Sequence, residues 1–425
     1  MSSSEPAAPA TKANPGLKPH EKANSRRFVV SNALVNVGDQ FVAAKTVLPW
    51  VFTSAGVPAF FLGLLVPIRE SGSMLPQAAL TPWITSKSKR APLWIAGAFG
   101  QAAAALAIGL SALFLRGWPL GIAVAVFLAV LAFFRAICSI TSKDIQGRTM
   151  SKGRRGRVTG TATLFGGLVA LTVGAALKLR GQELSYGALV GLVMVGAAAW
   201  FVSAFVFMRI EEPEYEITEK PQQNKWWSRT VGLLRRDKQL RKFVTVRSLM
   251  LVSALSPAFI VALAQESKDV NIGLGPFLMA SGIAAVIGGR ISGLLSDRSS
   301  RKTMSYAAAI TSVLVVATVA GVRWAPQNYA AWIIPLSYFL VSLTHVAIRV
   351  ARKTYVVDMA EGDQRTEYVA VANTAMGIIL LVLGGISSLV ALLGSQAALL
   401  FLALVGCVGA VRAMALPEVS GTVKS

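Results

Sequence analysis

The chain has 425 residues, 54% of them hydrophobic and only 15% charged, with a mean hydropathy of +0.58, a balance too apolar for a soluble globular domain. Lysine and arginine outnumber aspartate and glutamate by 42 to 20, yet the excess is dispersed between apolar runs and no aromatic stacking pattern accompanies it, which argues against nucleic-acid binding. Cys138 and Cys407 both sit inside apolar runs and read as small packing residues, so neither a metal nor another cofactor is expected.

Residues 1–27, rich in Ser, Ala, Pro and Lys, lack the apolar core of a cleavable signal peptide and are expected to form a disordered cytoplasmic tail. A bilayer core about 30 Å thick needs about 20 mostly apolar residues per helix. On that scale the first half holds six spans, at 28–50, 58–85, 92–115, 119–141, 158–177 and 186–208. The second half holds six more, at 243–264, 272–295, 303–322, 331–351, 368–393 and 397–415, followed by a cytoplasmic tail over 416–425. Between the halves lies a polar cytoplasmic segment, 209–242, carrying Glu211, Glu212, Pro213 and Glu214 and then the basic stretch WWSRTVGLLRRDKQLRKF. That stretch fits either a helix lying on anionic headgroups or a solvated connector. The expected fold is therefore an all-α membrane protein of twelve transmembrane helices in two pseudo-symmetric six-helix bundles, 28–208 and 243–415.

Lysines and arginines between spans set the orientation. With both termini cytoplasmic, the outer loops hold only Arg116, Lys178, Arg180, Lys268 and Arg323, against about thirty on the inner side. The absence of glycosylation sequons fits a bacterial inner membrane.

An internal repeat supports the division into halves. The segment beginning at Lys143 aligns without gaps on the segment beginning at Lys353, an offset of 210 residues that pairs Arg155 with Arg365 and Gly167 with Gly377. Arg26, Arg27 and Phe28 likewise open span 1 as Arg241, Lys242 and Phe243 open span 7. Transporters use such duplicated halves around a central site.

Ionisable residues inside a bilayer are costly, at least ~2.5 kcal/mol each on insertion scales, and mark functional candidates. Apart from Arg412 near the cytoplasmic end of span 12, they are Asp39, Lys45, Arg69, Glu70, Arg135, Arg247, Arg290, His345 and Arg349, all in spans 1, 2 and 4 or their repeat partners 7, 8 and 10. Helical phase groups them further. Span 10 presents Tyr338, Ser342, His345 and Arg349 as one stripe; span 4 presents Arg135, Ser139 and Ser142; span 1 presents Asn32, Asn36, Asp39 and Gln40, with Lys45 on nearly the opposite side. In span 2, Arg69, Glu70, Ser73 and Gln77 cluster at mid-bilayer beside Pro67, Gly72 and Pro76. Arg69 and Glu70 fit either a solute and proton pathway or a structural ion pair, and Lys45, Arg247, Arg290 and Arg349 lie close enough to helix ends to snorkel.

Between spans 8 and 9 the sequence GLLSDRSSRK supplies Gly293, Leu295, Asp297, Arg298, Arg301 and Lys302. On these residues the chain resembles the major facilitator superfamily, whose signature loop reads approximately G-x-L-x-D-R-x-G-R-K. The first-half copy, TPWITSKSKRAP, keeps only Lys87, Lys89 and Arg90, with Thr85 in place of the aspartate. The resemblance implies two bundles rocking about a central site lined by the first, second, fourth and fifth helices of each half. For Asp297 it implies a cytoplasmic latch to the neighbouring bundle.

The expected activity is secondary transport of a small solute by alternating access. Protons would couple through Asp39 or Glu70, and Arg69, Arg135 or His345 would contact the solute, with a lean toward an anion. The alternatives are a drug/proton exporter and a non-transporting receptor or scaffold on the same fold. No Walker-type glycine loop, Cys/His ligand set or HExxH motif occurs, so an enzyme is not expected. The expected partners are the solute, protons and the lipid bilayer, with the chain a monomer.

Overall fold

The computed structural model describes residues 20–150, 152–180, 184–214, 226–266, 272–359 and 364–419. Most of the tail expected over 1–27 lies outside them, but its last turns do not. Helix α1 (Glu21–Phe41) starts ahead of the apolar run and continues into α2 (Val47–Ser54) after a break, and the two make span 1. Span 2 is likewise divided, into α3 (Ala59–Met74) and α4 (Gln77–Thr85), where Pro76 cannot donate to the preceding turn. Spans 3 to 6 are α5 (Ala91–Phe114), α6 (Gly117–Thr149), α7 (Lys152–Arg180) and α8 (Tyr186–Phe207).

Helix α9 (Trp226–Arg236) occupies the connector, and span 7 is formed by α10 (Lys238–Leu249) and α11 (Val252–Glu266). Spans 8 to 12 are α12 (Leu274–Arg298), α13 (Ser300–Trp324), α14 (Gln327–Asp358), α15 (Gln364–Val390) and α16 (Ser395–Met414). Among the described residues there is no strand, and nine helical segments are each long and apolar enough to cross a membrane. The divided spans 1 and 2 and the bent α12, which turns by 42°, complete the twelve. Division costs hydrogen bonds in a bilayer, and irregular backbone is tolerated there only against protein or a water-filled cavity.

The basic stretch before span 7 does not lay its leucines on lipid. Leu233 and Leu234 of α9 pack against the core of the second bundle, while Arg235 and Arg236 stay exposed. Asp237 then caps α10, accepting from the amides of Gln239 and Leu240 at 2.8 and 2.9 Å and from the Tyr368 hydroxyl. Desolvation alone raises its carboxyl, but these donors outweigh that effect and hold it below the usual carboxylate range. The cap therefore stabilises the fold at neutral pH and is lost as the pH falls through that range.

The bundles meet along two helix pairs, α3 with α15 and α7 with α12. Both use small residues, which let helices approach where lipid offers no hydrophobic drive for association. The repeat-paired glycines sit at these two seams. Gly167 faces Gly282 and Val286 of α12, Gly377 faces Leu75, and the Ser71 hydroxyl donates to the Gly377 carbonyl at 2.8 Å. Further toward the face opposite the termini, a β-carbon on Gly174 would lie 2.6 Å from the Met279 amide nitrogen and 2.8 Å from the Gly275 carbonyl. These are backbone atoms that cannot rotate away. Gly174→Val is therefore expected to destabilise the protein by about 1–3 kcal/mol through overpacking, read as a lower Tm in detergent.

The seams do not run the full depth. Toward the far face one apolar core joins both bundles, with Trp50 packed on Phe277 at 5.9 Å between ring centroids and α11 buried almost throughout. Toward the terminal face the second bundle has a separate core, built from residues of α10, α13, α14, α15 and α16. There, β-carbons built on Gly160, Gly289 and Gly293 meet nothing within 4 Å. The bundles thus share a core on the far side, and on the terminal side the α7–α12 seam opens.

Candidate functional site

A cavity of about 380 Å³ lies between the bundles where span 1 is interrupted. The interruption over 42–46 carries Ala43, Ala44, Lys45 and Thr46 into its wall, beside Asp39 and Gln40 from the end of α1. Binding sites at discontinuous helices near mid-membrane are a recurring transporter device. From α3 come Arg69, Glu70 and Ser73, from α6 Arg135, from α12 Ser281, and from α14 Tyr338, Ser342, His345, Arg349 and Arg352. Five cationic side chains thus share the wall with two carboxylates.

Asp39 is held by two arginines from two other helices. Arg69 Nη2 donates to one carboxylate oxygen and Arg135 Nη2 to the other, each at 2.5 Å. Such charge-assisted bonds are the strong ones in a low-dielectric interior. The Arg69 guanidinium also lies over the Trp200 ring, 5.7 Å from its centroid. Arg69 therefore does not pair with its sequence neighbour Glu70: adjacent residues on a helix point about 100° apart, and Asp39 takes the guanidinium. Among the described residues Glu70 has no ion pair within 4 Å, and its carboxylate faces the cavity. The cations whose charge it feels are Lys45, Arg352, Arg69 and Arg349.

Lys45 is where helical phase misled. A continuous span 1 would turn it away from Asp39, but the break rotates it into the cavity. There its ammonium donates to His345 Nε2 at 3.0 Å, a contact between the bundles. With Nε2 accepting, Nδ1 carries the proton and donates to Ser253 Oγ of α11 at 3.1 Å. The imidazole thereby ties Lys45 of the first bundle to Ser253 of the second.

The stripe expected on span 10 lines the cavity as a unit, extended by Arg352. Gln40 reaches it too, accepting from Ser281 Oγ at 3.4 Å across the bundles. Asn36 does not. It packs against Gly166 and lines an adjoining space of about 250 Å³ with Asn32, Ser139, Ser142 and Thr163, reached through the shared Arg135. Gln77 lies beyond the break in span 2 and donates to the Ser73 carbonyl at 2.6 Å, outside both cavities. Arg247 is 5% exposed and donates to Asn373 at 3.1 Å, so it does not snorkel to the surface. The Arg290 side chain lies outside the described residues.

The signature-like loop spans the junction of α12 and α13. Gly293 and Asp297 fall within the last turns of α12, and Asp297 and Arg298 are exposed. Among the described residues Asp297 has no ion-pair or hydrogen-bond partner, and the basic side chains over 152–155 at the start of α7 lie outside them. Arg301 instead turns to the segment after span 12, donating to the Leu416 carbonyl at 3.1 Å with Glu418 3.5 Å away. The Lys302 amide donates to Ser299 Oγ at 3.1 Å, capping α13. The first bundle has a parallel arrangement that the sequence did not disclose. Glu212 accepts from the Arg90 and Ala91 amides at 2.7 Å each, and Arg90 Nε donates to Asp144 at 2.9 Å. A carboxylate at the N-terminus of α5 is favoured by the helix dipole as well as by the two bonds.

The sequence profile of the Major Facilitator Superfamily matches residues 29–347, three quarters of the chain. The chain belongs to the major facilitator superfamily. Solved transporters share its architecture along nearly their whole length. A mutant form of the nucleoside transporter NupG is 12% identical, with a TM-score of 0.69 over 93% of this chain and 99% of that one. A POT family transporter in complex with 5-aminolevulinic acid is 11% identical, with a TM-score of 0.69 over 92% and 96%. A D-xylose–proton symporter is 11% identical, with a TM-score of 0.67 over 94% and 99%. Identities this low carry the fold and nothing about the solute. No curated protein sequence matches the chain significantly.

Proposed function

We propose that this superfamily member is a secondary active transporter that moves a small anionic solute by alternating access, coupled to protons. The observation that carries the proposal is the cavity wall: five cations against two carboxylates, between bundles whose shared apolar core lies on one side. Charges in that setting are expensive and are kept where a transported group uses them. The excess of Lys and Arg on the terminal side argues for cytoplasmic termini, so the cavity faces the cytoplasm in this conformation.

Glu70 is the proton carrier in this reading, and Asp39 is not. Both Asp39 oxygens are already engaged by arginines, whereas Glu70 faces the same cations that an anionic solute must use. Protonating Glu70 removes a competitor for Lys45, Arg349 and Arg352, so the proton favours solute binding and, by reciprocity, the solute favours the proton. That sign is symport. It is tested by uptake of labelled succinate into proteoliposomes of the purified protein: an inward proton gradient should drive accumulation, and dissipating the gradient should abolish it. Accumulation indifferent to the gradient would overturn the coupling.

A further inference from the structure

We infer that the solute is a small, non-aromatic dianion with an anionic group at each end, which bridges the two bundles. The inference rests on the transport reading above and narrows it. The charges divide by bundle: Lys45 and the Asp39–Arg69–Arg135 cluster stand on the first, Arg349 and Arg352 on the second. Asp39 balances one of its arginines, Glu70 one of the other cations, and three positive charges remain. Protonating Glu70 raises the excess to four. A monoanion leaves most of that excess uncompensated in a membrane interior, and a dianion halves it.

Unused donors give independent support. Arg69 Nη1 and Arg135 Nη1 on the first bundle and Arg352 Nε on the second are buried without a hydrogen-bond partner. A buried unpaired donor is rare and costly in a finished structure. Arg69 and Arg135 line the cavity on the first bundle and Arg352 on the second, so a solute with a carboxylate at each end can draw on both groups at once. Satisfying them draws the bundles together on the terminal side. That gives occupancy a direct mechanical consequence, which a single-headed anion seated on one bundle lacks.

The wall also says what the solute is not. Tyr338 is the one Phe, Tyr or Trp among the described lining residues and is itself 2% exposed, so it offers no free ring face to stack on a base. A cavity of about 380 Å³ holds a short-chain dicarboxylate.

Thermal unfolding of the detergent-purified full chain tests this, with succinate, glutarate, glycerol phosphate, lactate, xylose and uridine at matched ionic strength. Succinate or glutarate should raise Tm by several degrees, saturably, because a ligand of the native state stabilises it by mass action. Arg352→Gln should weaken that response at least tenfold in half-saturating concentration, and Arg352→Lys should restore part of it. If Arg352→Gln does not fold, wild-type proteoliposomes discriminate in its place: succinate counterflow should be inhibited by glutarate but not by lactate, and equal inhibition by lactate overturns the inference. A response to glycerol phosphate without one to the dicarboxylates overturns the bridging arrangement. A response confined to lactate, xylose or uridine, with that solute transported, overturns the dianion and leaves transport standing. No response to either dicarboxylate also overturns the inference.

Discussion

Replacing Asp39 by Asn is expected to destabilise the protein by about 3–5 kcal/mol and to abolish transport, the cost of stranding buried charges whose partner is removed. Asp39 is the common anchor of spans 1, 2 and 4, because Arg69 of α3 and Arg135 of α6 each spend a guanidinium nitrogen on it at 2.5 Å. The substitution leaves two arginines facing each other across a site that already carries an excess of cations. Asp39→Asn combined with Arg135→Gln removes one of the stranded charges, so the pair should regain part of the lost stability, the signature of coupled residues. Thermal unfolding in detergent and proteoliposome uptake, read on the single and double variants, check both statements. A wild-type Tm in Asp39→Asn would show that the two arginine bonds do not organise the first bundle.

Glu70→Gln is expected to behave oppositely, keeping the fold and losing the coupling. The glutamine is isosteric, and Glu70 makes no ion pair among the described residues that the change could break. What disappears, on the proposed reading, is the group that binds the proton carried with the solute. With one proton carried per solute, each pH unit of gradient corresponds to about 1.4 kcal/mol, or about tenfold accumulation. Glu70→Gln should lose this accumulation entirely while still exchanging external for internal solute at equal concentration. Undiminished accumulation would place the coupled proton elsewhere, and loss of exchange as well would make Glu70 a binding residue.

The sequence discloses the framework and less of the site, for physical reasons visible in single residues. Gly167 and Gly377, paired by the repeat, both lie at seams between bundles, since duplicated halves reuse the same close approach. The stripe on span 10 can be read from sequence because α14 is one unbroken helix, over which a fixed angle per residue holds. Lys45 cannot be placed in this way, because the chain unwinds between Phe41 and Val47 and the angular count is lost there. The partners of Arg69 and Arg135 are equally hidden, since Asp39 is 30 and 96 residues away and tertiary packing alone brings it near. Periodicity is a local signal and such pairs are not local. For Asp297 the loop pattern is recognisable in sequence, but a latch is a contact between distant segments, which a local pattern does not encode.

The same logic explains how the cavity is closed off from the far side. Lys45 and His345 form a bond between bundles at the cavity wall, and Trp50, Phe277 and Tyr338 continue the closure as apolar contacts. Opening the far side has to break the Lys45–His345 bond, while closing the terminal side has to bring Arg349 and Arg352 toward the first bundle. A solute held between the bundles favours the second movement. Alternating access on this account is a shift between two packings, with the solute and the proton contributing the difference in free energy.

If one site couples a proton to an anion, internal pH measured in proteoliposomes reports it most directly. Vesicles of the purified protein, loaded with a pH-sensitive dye and given succinate outside with no imposed gradient, should acidify inside, and Glu70→Gln vesicles should not. Succinate uptake without acidification in the wild type, or equal acidification in Glu70→Gln, would contradict the account.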